Sequence, residues 1–173
     1  EPYDAAVRPV HIKNVGISIT DAPDMYWRGV YEVVGIDDVS SKVESFIEGE
    51  TIRAYFNSAA FSIRPAIGIL RRWLECFLIL VSDKAFQANN CQDEKHKIFL
   101  HQAVLSTLIT SQLDEDGICI LPPEYIYPYN LHESVPPHRR AKSLNELVSI
   151  YYGSRTVDPG QLLDIDVYNP PRT

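Results

Sequence analysis

A chain of 173 residues is the size of one ordinary domain and is long enough to bury a core. Its 45% hydrophobic and 23% charged composition is globular rather than disordered. A net charge of -7 argues against binding that works by neutralising nucleic-acid phosphates, and the two short basic stretches, Arg71-Arg72 and His138 to Lys142, read as solvated faces. No apolar run approaches about 20 residues, so no transmembrane segment is expected. The three cysteines, Cys76, Cys91 and Cys119, form no C-x-x-C pair and read as reduced thiols. With no N-x-S/T acceptor site and no signal peptide, the expected location is cytoplasmic. The opening Glu-Pro-Tyr-Asp, without an initiator Met, is expected of a processed chain or a piece of a longer one.

In chain order, a short strand is predicted at Val15–Ile19. Asp21 or Asp24 then caps a helix, with Pro23 in its first turn, Trp27, Val30, Tyr31 and Val34 on one face, and Gly35 at its end. Ile36 to Glu50 reads as a polar connection with at most one helical turn. Arg53 to Ile63 is rich in aromatic and small residues and reads as a buried strand. Pro65 opens a helix on which Ile67, Leu70, Leu74, Phe77, Leu78 and Val81 form a stripe predicted to face the core. Asp83 to Cys91 reads as a polar junction.

A further helix is predicted from about Asp93 to Leu113, with acidic residues at the positive end of its dipole. Projection at 100° per residue puts Asp93, Lys97, Thr107 and Ser111 on a solvated face, with His101 and Gln102 among apolar residues. Asp114 to Gly117 turns into a strand, Ile118–Leu121. Two prolines and an aromatic loop, Tyr125 to Asn130, follow, and Leu147–Tyr152 is the last predicted strand. The expected fold class is α/β, a mixed sheet with packed helices. Residues 1–153 are expected to form one domain, and 154–173 an irregular tail.

Four polar residues stand out because their surroundings are apolar. His101 and Gln102 require partners inside, since an unpaired buried polar group costs about 1–3 kcal/mol. They can bond neighbouring backbone carbonyls or floor a cleft. Asn57 and Ser58 pose the same question in the predicted strand: a bulge or turn, or donors and acceptors for a polyhydroxyl ligand. His96 and His101, five apart, do not share a helix face and make a poor metal pair. Asp114 to Gly117 lacks the ligands of a calcium loop. Asp164-Ile165-Asp166 is a D-x-D triplet, a pattern able to bind a divalent ion, in the tail. No phosphate-binding loop, nucleophile elbow or H-E-x-x-H is present.

Tyr55-Phe56-Asn57-Ser58-Ala59-Ala60-Phe61, then Ile63-Arg64-Pro65 and a helix with Trp73, resembles the strand and helix of family-8-type nucleotide-sugar glycosyltransferases of the GT-A fold. His101-Gln102-Ala103-Val104-Leu105 is similar to their Asp-Gln-Asp-x-Leu helix start, and Leu121-Pro122 with Tyr125 to Asn130 to their Leu-Pro-x-x-(Tyr/Phe)-Asn segment. Where the family has glycine this chain has Ala59, and where it has an acid, His101. The three blocks resemble the C-terminal, acceptor-side portion of such an enzyme, with the donor half and its D-x-D either missing from this chain or never present, so the chain alone is expected to be inactive or nearly so. The resemblance implies catalytic roles for Gln102 and His101. It implies substrate-binding roles for Asn57, Ser58, Tyr125, Tyr127, Tyr129, Asn130 and His132. A nucleotide-sugar donor, a carbohydrate-type acceptor and a divalent cation, Mn or Mg, whose ligands lie outside this chain, follow from the resemblance alone. The competing expectation is a non-enzymatic α/β binding or oligomerisation module, with these polar residues purely structural.

Overall fold

In the computed structural model residues 2–151 are described, and the chain divides into two units, residues 1–120 and 121–173. The tail with Asp164 and Asp166 lies outside the described residues, as does Tyr152 of the last predicted strand.

The first unit is a mixed α/β structure. Its sheet has the order β4-β1-β5: β1 (Ala5–Val7) runs antiparallel to β4 (Ser62–Ile63) and parallel to β5 (Ile118–Ile120). A separate antiparallel pair joins β2 (Lys42–Glu44) to β3 (Thr51–Arg53). Four helices complete it: α1 (Met25–Val34), α2 (Ile69–Ser82), α3 (Lys84–Asn90) and α4 (Glu94–Gln112). The helices α1 and α2 both pack on α4.

The ends of α1 follow from local chemistry. The Asp24 carboxylate accepts from Trp27 N at 2.9 Å, and Gly35 takes the left-handed conformation at φ 91° that closes the helix. Tyr26, Trp27, Val30 and Tyr31 are buried, and Trp27 donates its indole N–H to the Val15 carbonyl at 2.6 Å. Gly29 lets α1 close on α3, since a β-carbon there would lie 2.5 Å from the Phe86 ring.

Several expectations are corrected. Val15–Ile19 is not a strand; Ser18 makes one isolated bridge to Ile52, and the first strand is Ala5–Val7. The predicted connection after Ile36 contains β2, and the predicted junction after Asp83 is α3, capped by the Asp83 carboxylate. Arg53 to Ile63 is not one strand. Residues 55–57 run beside Arg8–Val10, with Val10 N bonding Tyr55 O and Asn57 N bonding Arg8 O. Pro9 stands opposite Phe56 between those two bonds, at a non-hydrogen-bonded pair where its missing N–H removes nothing from this pairing. Asn57 then bends the chain, its side-chain oxygen accepting from Ala59 N at 2.8 Å.

The stripe of α2 is also corrected. Ile69, Cys76 and Leu80 are its buried residues, whereas Leu70, Leu74, Leu78 and Val81 are exposed at 45, 58, 52 and 45%. The helix carries apolar residues around most of its circumference, and the spacing 69-73-76-80 faces inward. Trp73 and Cys76, outside the predicted stripe, belong to that inward row. On α4 the assigned solvated face fails at Thr107, which is buried and donates its hydroxyl to the Ala103 carbonyl at 2.9 Å. From Leu100 to Ile109 only His101 escapes full burial, so α4 is a central helix and not a half-solvated one.

In the second unit β6 (Tyr127–Pro128) pairs in parallel with β7 (Ile150–Tyr151), and a 3-10 segment, Tyr129–Ser134, follows β6. Among the described residues no helix is long and apolar enough to cross a membrane.

Candidate functional site

The turn after Asn57 meets α4 at His101 and Gln102. The Ser58 hydroxyl lies 2.9 Å from His101 Nε2 and 3.2 Å from Gln102 Oε1, and Ser58 N donates to the same Gln102 oxygen at 3.2 Å. A hydroxyl has one proton. Either Ser58 donates to His101, or His101 Nε2–H donates to Ser58 while the hydroxyl turns to Gln102. Asn57 is buried beside this pair, with its side-chain oxygen committed to the turn. The structure therefore brings four predicted residues, Asn57, Ser58, His101 and Gln102, to one corner.

Ser106 fixes that corner from below. One helical turn beyond Gln102, its buried hydroxyl accepts from Phe56 N at 2.9 Å and donates to the Gln102 carbonyl at 2.9 Å. Trp73 fixes it from α2, donating its indole N–H to the His101 carbonyl at 2.6 Å. Neither residue was assigned a role from sequence. The signal for Ser106 was present, a second polar residue four positions from Gln102 on a buried helix.

Burial lowers the His101 pKa from its ordinary value, with the Ile98 backbone opposing weakly, so the ring is neutral near pH 7. Burial pushes the Tyr55 phenol well above its usual range. A neutral imidazole bonded to a half-buried hydroxyl can accept a proton or hold one. A primary amide beside it can donate to and accept from hydroxyl groups.

Phe61, Leu70, Trp73, Leu74, Phe77 and His101 line a pocket of about 670 Å³. Phe61 and Trp73 meet edge to face at 5.8 Å, which fixes one wall.

The remaining predicted residues lie in the second unit. Tyr127 is buried, with its hydroxyl 2.8 Å from His132 Nδ1 and accepting from Ala141 N at 3.3 Å. Burial raises its pKa, with Ala141 N–H and Arg140 opposing. Tyr125 is half-buried. Tyr129 is buried, and its hydroxyl and the Asn130 side-chain oxygen have no hydrogen-bond partner among the described residues. Between Tyr125 and Tyr127 stands Ile126, a β-branched residue at φ 55°, a strained conformation held by burial of its side chain.

Among the described residues no group of three or more His, Cys, Asp or Glu side chains is arranged to hold a metal ion. His96 Nδ1 instead pairs with Asp93 at 2.8 Å. The described residues thus do not fit a divalent-cation site. Comparison with protein-family models, with curated proteins and with solved structures gives no match to this chain.

Proposed function

We propose that this chain is the acceptor-side part of a GT-A-like enzyme that transfers a sugar from a nucleotide-sugar. The observation that carries the reading is the convergence of Ser58, His101 and Gln102 through hydrogen bonds of 2.9 to 3.2 Å, with Asn57 beside them. In this reading Gln102 hydrogen-bonds the transferred sugar at the reaction centre. His101, neutral because it is desolvated, takes the proton of an acceptor hydroxyl with Ser58 as its hydrogen-bond partner. Asn57 orders the turn that presents Ser58. In the second unit, the Tyr129 hydroxyl and the Asn130 side-chain oxygen have no hydrogen-bond partner among the described residues, and the part-exposed Tyr125 and His132 offer an acceptor-binding surface, with the buried Tyr127 holding His132 through its hydroxyl.

The test is a thermal-shift screen of the protein at its full natural length against nucleotide-sugars with manganese. Stabilisation by one donor supports transfer; no shift with any donor counts against it. A second reading, a non-enzymatic binding or oligomerisation module, is favoured by one observation, the half-exposed Leu70, Leu74, Leu78, Ile79 and Val81 on α2. Light scattering across a concentration series separates the two, since self-association through that face raises the mass with concentration.

A further inference from the structure

The exposed side of α2 is apolar in a helical pattern. At about 100° per residue, Leu70, Leu74, Phe77, Leu78 and Val81 fall within an arc of about 100° that no polar residue interrupts. Ile69, Cys76 and Leu80, which pack inward, occupy a separate side, so this second stripe is left half-exposed. Along it, residues 70, 74, 77 and 81 are spaced by four, three and four, the spacing of a coiled-coil seam. The pocket beside His101 adds to this pattern. Leu70, Trp73, Leu74 and Phe77 of its lining stand at i, i+3, i+4 and i+7 on one helix. Four residues so placed form the hole that receives a side chain from a facing helix. The surface is therefore shaped for another amphipathic helix.

The charges of α2 select which helix. Arg71 and Arg72 stand in its first turn, at the positive end of its dipole, and that turn holds no acid. At the other end the last turn holds no base, and Asp83 is the C-cap. Within one helix both placements are unfavourable. A second α2 laid antiparallel reverses both, because each Arg71 then lies by the negative end of the other helix. Arg72 already meets Glu75 at 3.6 Å, whereas Arg71 is exposed and makes no ion pair among the described residues. Lys84, which begins α3, offsets the Asp83 charge, so the helix dipole carries most of this attraction.

We propose that two copies of this chain pair through α2, antiparallel about a two-fold axis midway between Leu74 and Phe77. Leu74 of each copy then meets the partner's Phe77, and Leu70 meets the partner's Val81. This deepens the self-association reading, on whose exposed face it rests, by naming the partner and its direction. The 14 residues of α2 span about 21 Å. A face of that length lies at the low end of specific interfaces, about 1,000 Å² in total, so the dimer is reversible rather than obligate.

The test is sedimentation equilibrium of the full chain from about 1 to 500 µM. A monomer–dimer equilibrium within that range is expected. Leu74→Glu puts a charge at the centre of the seam and weakens pairing by about a hundredfold or more, whereas Ile79→Glu, exposed but off the stripe, leaves it unchanged. Arg71→Glu separates pairing from folding. An acid there suits the helix's own dipole, so thermal stability holds or rises, while pairing weakens by about fivefold or more. A mass that stays monomeric throughout overturns the proposal and self-association together. Association that Leu74→Glu leaves intact overturns this face and keeps self-association. Association that Arg71→Glu leaves unchanged or tightens overturns the antiparallel arrangement. The transferase reading is decided separately, by turnover.

Discussion

Ser106→Ala removes one hydroxyl and tests whether the polar corner is pinned to α4. In the native protein that hydroxyl is fully buried, accepts from Phe56 N at 2.9 Å and donates to the Gln102 carbonyl at 2.9 Å. The substitution leaves the Phe56 N–H without its acceptor, at a cost of about 1–3 kcal/mol for an unsatisfied buried donor. The Gln102 carbonyl keeps its place in the helix and loses little. Alanine is the better helix former by about 0.5 kcal/mol, which offsets part of the loss. The net destabilisation is about 0.5–2.5 kcal/mol. For a chain of this size each kcal/mol lowers Tm by roughly 2–4 °C, so a fall of about 1–10 °C is expected. Urea unfolding followed by far-UV circular dichroism reads the free energy, and the slope with urea stays unchanged if the unfolded state is unaffected. The Ser58 amide resonance shifts as well, because the Phe56 to Ser58 segment loses its anchor. A loss below about 0.3 kcal/mol, with Ser58 unmoved, refutes the pinning role.

Burial holds His101 below its ordinary 6.5, so the unfolded chain binds that proton more tightly than the folded one. Its contribution is complete above the unfolded value and is lost as pH falls from there toward the folded pKa. The stability difference between wild type and His101→Gln should therefore change between pH 7.5 and pH 5, and a constant difference contradicts the burial argument. Burial pushes the Cys76 and Cys91 thiols up, while Cys119 is less buried. A disulfide reagent should find Cys119 in the native protein and the other two only on unfolding; immediate reaction at Cys76 counts against the packing of α2. Gly29→Ala gains about 1 kcal/mol of helix propensity but drives a methyl to 2.5 Å from the Phe86 ring, itself stacked on Tyr26 at 6.0 Å. Overpacking of about 1–3 kcal/mol should win, giving net destabilisation by urea unfolding; a stabilised variant refutes the close approach of α1 and α3.

The elements most legible in the sequence were those set by local chemistry. Asp24 and Gly35 delimit α1, and Asp93 begins α4, because caps and left-handed closures involve only neighbouring residues. The break at Asn57 was legible only as one of two readings, because an asparagine in an apolar stretch can be a turn residue or a ligand-binding group, and its bond from Ala59 N makes it a turn. The inward face of α2 was misread for a different reason. With apolar residues on nearly every side, periodicity cannot choose a face, and the choice falls to what α4 offers. Within the candidate site, His101 and Gln102 were recognisable as polar residues among apolar ones, and their bonds to Ser58 agree with the need for partners. The clamp from Trp73 to the His101 carbonyl needed the helix packing to be seen. The second unit has few regular elements, so Tyr125, Tyr127 and Tyr129 carried a compositional signal without a structural one.

The central claim is that Gln102, joined to Ser58 by hydrogen bonds of 3.2 Å, sits at a sugar-transfer centre. Release of free nucleotide from a panel of nucleotide-sugars, measured for the full-length wild type and for Gln102→Ala, tests it most directly. The account predicts turnover with one donor, falling by about a hundredfold in the variant while far-UV circular dichroism is unchanged. Turnover with no donor, or a variant as active as wild type, would contradict it.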